Sequence, residues 1–284
     1  MNDKGIDPAA VAQALAGLGV SPGDAVAVHS RVPALGRVTL NLCKQGRDAL
    51  VSGVHKLIDG FCLAVGGQQG IVMVPTFSYC FVGRPDTPPW NPRKSVSHVG
   101  MLTDEFWRRP DAVRSNSPTH SVAAIGGGAA AITAGHDKRT PLGADTPFHR
   151  LARRKGWICY LGTNGKTLSL LHVAEVLAGV PYVEVFCWAH LGWQCAARIE
   201  RPDGSVETAP VGQCPGCSNS FGRFDEEAEK EGLFRKGKLY DADLALFSAA
   251  GAMELAIDRI RREPDFFLCR PGACPACDVR RQVL

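Results

Sequence analysis

The run Trp157-Ile158-Cys159-Tyr160-Leu161, then Gly162-Thr163-Asn164-Gly165, then Leu168-Ser169-Leu170-Leu171-His172-Val173-Ala174-Glu175, decides how this chain is read. The first five residues are apolar or aromatic, the composition of a buried strand. The Gly-Thr-Asn-Gly tetrad supplies turn residues. The last run has the length and make-up of a helix. A strand, a glycine-bounded loop and a helix form half of a βαβ unit, and the alternation recurs along the chain. Asp7-Pro8 before residues 9–15 reads as an N-cap, a proline at the first helical position and a helix. Residues 24–28 read as a strand running into His29-Ser30-Arg31, and 49–58 as a helix. Strands are expected at 71–75 and 121–125, and helices at 100–108, 129–134 and 146–154. Residues 78–98, with several prolines, read as a long loop.

Strands alternating with helices imply an α/β layered sandwich around a central, largely parallel or mixed sheet. After Tyr182 the pattern changes: 182–187 and 195–200 read as strands joined through Asp203-Gly204, and helices near 223–232 and 241–263 close the chain. Residues 1–284 read as one domain, with 205–284 as a Cys-rich C-terminal elaboration. Ligands of such sheets favour the carboxyl ends of the strands. The loops at Ser30, Thr76 and Thr163 sit at those ends.

Composition narrows the function classes. With 45% hydrophobic and 21% charged residues, the chain of 284 has an ordinary globular make-up. No apolar run approaches the ~20 residues of a membrane-spanning helix. The start, Met1-Asn2-Asp3-Lys4-Gly5, is polar and lacks a signal-peptide core, so a cytoplasmic location is expected. A net charge of +4 is mild, and no block of Lys and Arg or RNA-binding aromatic motif occurs, so no nucleic-acid partner is expected. An odd count of 11 cysteines argues against a disulfide framework. Cys43, Cys62, Cys80, Cys159, Cys187 and Cys195 lie among apolar residues and read as small buried hydrophobes.

His172 and Glu175 stand three apart, on one helical face. A carboxylate beside an imidazole fixes its tautomer and raises its basicity, which suits a general base. Taken alone, the pair fits an ordinary surface His and Glu as well. Four other segments accompany it: Val28-His29-Ser30 with Leu35-Gly36; Val74-Pro75-Thr76-Phe77; Arg114-Ser115-Asn116-Ser117-Pro118-Thr119-His120-Ser121; and Thr146-Pro147-Phe148. In order and spacing, these segments with Leu171-His172-Val173-Ala174-Glu175 resemble the aminoglycoside N3-acetyltransferase family, from about residue 8 to the C-terminus. The Arg-Ser-x-x-Pro-x-x-Ser run and the His-x-x-Glu helix are the most specific parts.

The resemblance implies transfer of an acetyl group from acetyl-CoA to a small-molecule amine, on the family's own α/β fold. It implies His172 as the base for the acceptor amine and Glu175 as the group that tunes it. Ser169 stands where relatives often carry Thr, and is expected to assist the departing thiolate or the oxyanion, with Thr167 as the alternative. Ser30, Arg31, Arg114 and Ser115 are expected to contact the CoA diphosphate or pantetheine, the two arginines by charge and planar donor geometry. Three departures stand out. Val38 is followed by Thr39-Leu40-Asn41 without the family's paired glycines. Ser117 replaces a His. Trp90-Asn91 replaces Phe-Asp, removing a carboxylate that would suit a polycationic acceptor.

The late cysteines carry a second signal. Cys214-Pro215-Gly216-Cys217 and Cys274-Pro275-Ala276-Cys277 are two C-x-x-C knuckles. Together they read as a candidate structural zinc site of four thiolates, with Cys269 as a spare ligand; the alternative is free or buried thiols. Four thiolates leave no open position, so the metal would not be catalytic. A competing class of function is a zinc-stabilised binding or regulatory protein on a degenerate acetyltransferase scaffold. The missing glycines after Val38 favour it; retention of His172, Glu175 and Ser169 favours an enzyme.

Overall fold

The structure is a computed structural model and describes residues 5–137 and 140–284. Strands β1 (Ala25–Ser30) and β2 (Ile71–Pro75) are preceded by helix α1 (Pro8–Gly17) and separated by α2 (Arg37–Gln45) and α3 (Arg47–Ala64). Then come α4 (Met101–Trp107), β3 (Val113–Arg114), β4 (Val122–Gly126), α5 (Ala129–Thr133), α6 (Pro147–Arg153), β5 (Trp157–Leu161) and α7 (Leu170–Ala178). The last third holds β6 (Ala196–Glu200), β7 (Val206–Pro210), α8 (Gly222–Lys230), β8 (Arg235–Leu239), β9 (Ala242–Ser248), α9 (Ala249–Arg262) and α10 (Pro275–Arg281).

Seven strands form one sheet in the order β3-β4-β2-β1-β5-β9-β8. Among the described residues, β1–β2 and β1–β5 pair in parallel and the other neighbours in this sheet are antiparallel, so the sheet is mixed. Successive strand side chains point to opposite faces, and both faces are covered. Ala25, Ala27, Ile71, Met73, Val122, Ala124, Ile158 and Tyr160 pack with α5, α6, α7 and α9. Val26, Val28, Val72, Val74, Ala123, Ile125, Cys159 and Leu161 pack with α1 to α4. Two-sided burial explains why these strands read as unbroken apolar runs rather than alternating ones.

Several sequence expectations need correcting. Residues 182–187 are not a strand: Pro181–Glu184 is a 3₁₀ turn, because Pro181 fixes φ and removes a ladder donor. The hairpin around Asp203-Gly204 instead joins β6 to β7. The expected helix at 241–263 begins only at Ala249; residues 242–248 are β9, which with β8 extends the main sheet. The Cys-rich segment 205–284 therefore also supplies two strands and a covering helix of the central layer. The stretch after Val38, expected as a CoA loop, is helix α2.

Candidate active site

Strands β1, β2 and β5 run parallel, so their carboxyl ends lie along one edge of the sheet. At that edge opens a cavity of about 440 Å³. Ser30 comes from the end of β1, Pro75 and Phe77 from the exit of β2, and Lys166, Thr167, Leu168 and Ser169 from the loop after β5. Two glycines shape that loop. Gly162 has φ +62°, and a Cβ there would stand 2.2 Å from Ala34 Cβ. A Cβ on Gly165 would stand 2.5 Å from the Phe221 carbonyl oxygen. The Gly165 N–H donates to Asp225 Oδ2 at 2.8 Å, tying the loop to α8.

The loop delivers α7, whose first turns place His172 in the cavity wall. Its Nδ1 donates to Glu175 Oε2 at 2.7 Å, and both residues are buried. The second carboxylate oxygen, Oε1, accepts from the Tyr182 hydroxyl at 3.1 Å. Burial and the adjacent carboxylate push the Tyr182 phenol's pKa up, so it stays a donor. The Phe221 ring lies 4.6 Å from the His172 ring and limits its rotation. This chain of contacts sets the tautomer: Nδ1 carries the proton and Nε2 keeps a lone pair.

Ser169 lies in the same wall and makes no side-chain capping bond at the start of α7. Thr167 also lines the cavity, with its hydroxyl donating to the Asn164 carbonyl. Ser30 is in the wall; Arg31, just beyond it, is exposed. The arrangement differs for Arg114 and Ser115. Arg114 lies between the rings of Trp90 and Trp107, with its guanidinium carbon 4.7 and 4.5 Å from their centroids. Its Nε donates to Thr76 and Ser121 hydroxyls, its Nη2 to the Thr76 carbonyl and the Ser78 hydroxyl, and its Nη1 to the Ser95 carbonyl. Ser115 Oγ bonds His136 Nδ1 at 2.9 Å and accepts from the Val122 N–H at 2.8 Å. Both side chains make their bonds inside the fold and lie outside the cavity wall.

The departures have local explanations. Trp90 is fully buried against Arg114 and donates to Asn116 Oδ1. Asn91 Oδ1 accepts from the Arg93 N–H, a loop-capping role. Ser117 is fully buried, and its Oγ accepts from the His120 N–H within the turn.

Sequence reasoning gives His29 and His120 no role of their own, yet both line the cavity. Burial holds the His29 pKa down at about 4. His120 is lowered well below its usual value, first by burial and then by His172 and His136. Both are neutral at pH 7. His29 stacks on Phe148, and its Nε2 has no partner. His120 sits edge-on to Phe77 and Tyr79. Phe81, Trp188 and Trp193 continue this aromatic wall. Tyr182 falls where a strand is expected, and nothing in its spacing signals the bond to Glu175.

The late cysteines converge differently from the expected set. The sulfurs of Cys217, Cys269, Cys274 and Cys277 lie within 4.8 Å of one another. Cys214 is outside the group, with its thiol directed to the Pro215 carbonyl at 3.5 Å. Cys269, the expected spare, takes its place.

Comparison with known proteins places this geometry. The sequence profile of the aminoglycoside 3-N-acetyltransferase family matches residues 28–261. Aminoglycoside N(3)-acetyltransferase VII of Streptomyces paromomycinus is 28% identical over 272 residues, 87% of this chain and 88% of the relative. Aminoglycoside N(3)-acetyltransferase IX of Micromonospora chalcea is 29% identical over 269 residues, 87% of this chain and 90% of the relative. The crystal structure of aminoglycoside acetyltransferase AAC(3)-IVa, as a histidine-to-alanine variant in complex with a gentamicin, superposes over 100% of both chains with a TM-score of 0.79 and 26% identity. A profile match across most of the chain, on the same fold, means that this chain belongs to the aminoglycoside 3-N-acetyltransferase family of enzymes.

Proposed function

We propose that this chain transfers the acetyl group of acetyl-CoA to an amine of an aminoglycoside or a related small molecule, with His172 as general base. The observation that carries the reading is the Glu175–His172 bond at the wall of a cavity large enough for reacting groups. A typical acceptor amine is protonated at pH 7, and only its neutral form attacks a thioester. His172 Nε2 takes the proton that the amine nitrogen loses as it bonds to the acetyl carbon. The C–S bond then breaks, and the CoA sulfur leaves as a thiolate that takes up a proton. Base catalysis of this kind contributes ~10²–10⁴-fold. Glu175, held by Tyr182, offsets the positive charge that His172 gains. Ser169 supplies a hydroxyl for the oxyanion or thiolate, and Ser30, with Arg31 at the rim, contacts the pantetheine or diphosphate.

Among the described residues, the cavity wall carries no carboxylate, whereas aromatic rings are plentiful. Ammonium groups bind ring faces for about 0.5–2 kcal/mol, so the wall favours acceptors presenting few charges beside a sugar or ring face. A retained His172–Glu175 pair, with Glu175 held by Tyr182, weighs against the non-catalytic scaffold. Thiol release from acetyl-CoA, measured across a panel of aminoglycosides and simpler amines, tests the reading. Turnover is expected with at least one acceptor, rising with pH as the acceptor amine loses its proton. Trp193→Ala is expected to raise the acceptor KM several-fold with little change in the acetyl-CoA KM. Absence of amine-dependent thiol release across the panel would reject it.

A further inference from the structure

We propose that Cys217, Cys269, Cys274 and Cys277 form a tetrahedral zinc centre that fixes the wall of the catalytic cavity behind His172. The geometry fits the ion. Zinc–thiolate bonds of about 2.3 Å place the sulfurs of a regular tetrahedron about 3.8 Å apart. Cys217 Sγ and Cys269 Sγ are 3.7 Å apart, and all four sulfurs lie within 4.8 Å of one another. A disulfide would need about 2.04 Å. The local backbone is also that of a metal knuckle. The Asn219 N–H donates to Cys217 Sγ at 3.4 Å, a bond that stabilises a thiolate. Cys274 caps α10, Pro275 opens it, and the Cys277 N–H returns to the Cys274 carbonyl at 3.0 Å, which puts both sulfurs on one side of the first turn. The Arg281 guanidinium donates to the Cys269 carbonyl at 2.6 Å and tethers the third segment to the same helix.

The four ligands come from three segments, two of which reach the cavity that holds His172. Cys217 and Cys274 themselves line the cavity. Phe221, four residues past Cys217, packs on the His172 ring. Phe267, two residues before Cys269, packs on Phe221 with centroids 5.3 Å apart. A metal joining 217, 269, 274 and 277 therefore fixes Phe221 and Phe267 relative to α7. No position is left open for substrate, so the ion acts on shape and not on the chemical step.

Zinc content of full-length protein, purified without chelator from zinc-supplemented culture, tests the centre, and is read independently of acetyl transfer. About one zinc per chain is expected. Cys214→Ser is expected to keep it, and Cys269→Ser to lose it. Cobalt exchanged into the site is expected to give the intense visible absorption of tetrahedral thiolate coordination. Wild-type zinc far below one equivalent overturns the centre. So does loss of zinc from Cys214→Ser with retention in Cys269→Ser, or disulfides among these cysteines in non-reduced, alkylated protein. Complete chelation of the wild type is expected to lower turnover several-fold, restored by zinc. Unchanged turnover of the stripped enzyme overturns the coupling to the cavity.

Discussion

If Glu175 tunes His172 as proposed, its replacement is visible in rate more than in binding. Glu175→Gln keeps volume and one hydrogen bond to His172 but removes the charge that, in the proposed mechanism, offsets an imidazolium. We expect kcat to fall by about tenfold, less than for loss of the base itself, with the acetyl-CoA KM nearly unchanged. Tyr182→Phe leaves Glu175 Oε1 without its buried donor. A cost of about 1–3 kcal/mol in stability or alignment follows, seen as a lower Tm and a smaller loss of kcat than in Glu175→Gln. Arg114 is the opposite case. Its contacts are internal, so Arg114→Ala should lower Tm steeply while folded protein keeps its CoA affinity. Calorimetric titration with CoA, beside thermal unfolding, separates these outcomes; a large loss of CoA affinity at unchanged Tm would restore a diphosphate role.

Elements explain which parts of the design are legible in sequence. Strands β1, β2 and β5 can be read because burial on both faces writes them as dense apolar runs between glycines and prolines. Helix α7 is legible from its length, and the His172–Glu175 contact from helical spacing. The edge strand β8 and its neighbour β9 are not. Arg235 to Lys238 is polar because it lies at the sheet edge, and β9 runs into α9 with only Ser248 as its N-cap. Sequence shows the charge of Arg114 but not the two tryptophans and five acceptor residues that surround its guanidinium. Knuckle spacing locates the thiol cluster; which four sulfurs meet depends on how α10 folds back. The loop between β5 and α7 depends on a bond made sixty residues away, Gly165 N–H to Asp225. Asp225→Ala should cost about 1–2 kcal/mol and raise KM by loosening Lys166 to Ser169. Unaltered KM together with unaltered Tm would show that the loop is held by its glycines and packing alone.

At the scale of the molecule, three buried histidines couple stability to pH. His29 and His136 are held at about 4 by burial, and His120 lies well below its ordinary value. Unfolded histidines titrate near 6.5. Between about pH 6.5 and 4 the unfolded chain binds protons that these residues refuse in the fold, so stability falls as pH falls through that window. Each contributes roughly 1 kcal/mol per pH unit there. Above pH 6.5 their contribution is complete and flat. Urea unfolding from pH 7.5 to 4.5 should show this slope, and His136→Asn should reduce it; a wild-type stability independent of pH across the window would contradict it. In the proposed reaction the whole molecule acts on two substrates through one base. Single-turnover acetyl transfer by His172→Ala, with acetyl-CoA saturating and an acceptor that the wild type uses, tests it most directly. We predict a chemical step slowed by ~10²-fold or more with CoA affinity nearly intact. Acetyl transfer at a near wild-type rate by the folded variant would contradict the account.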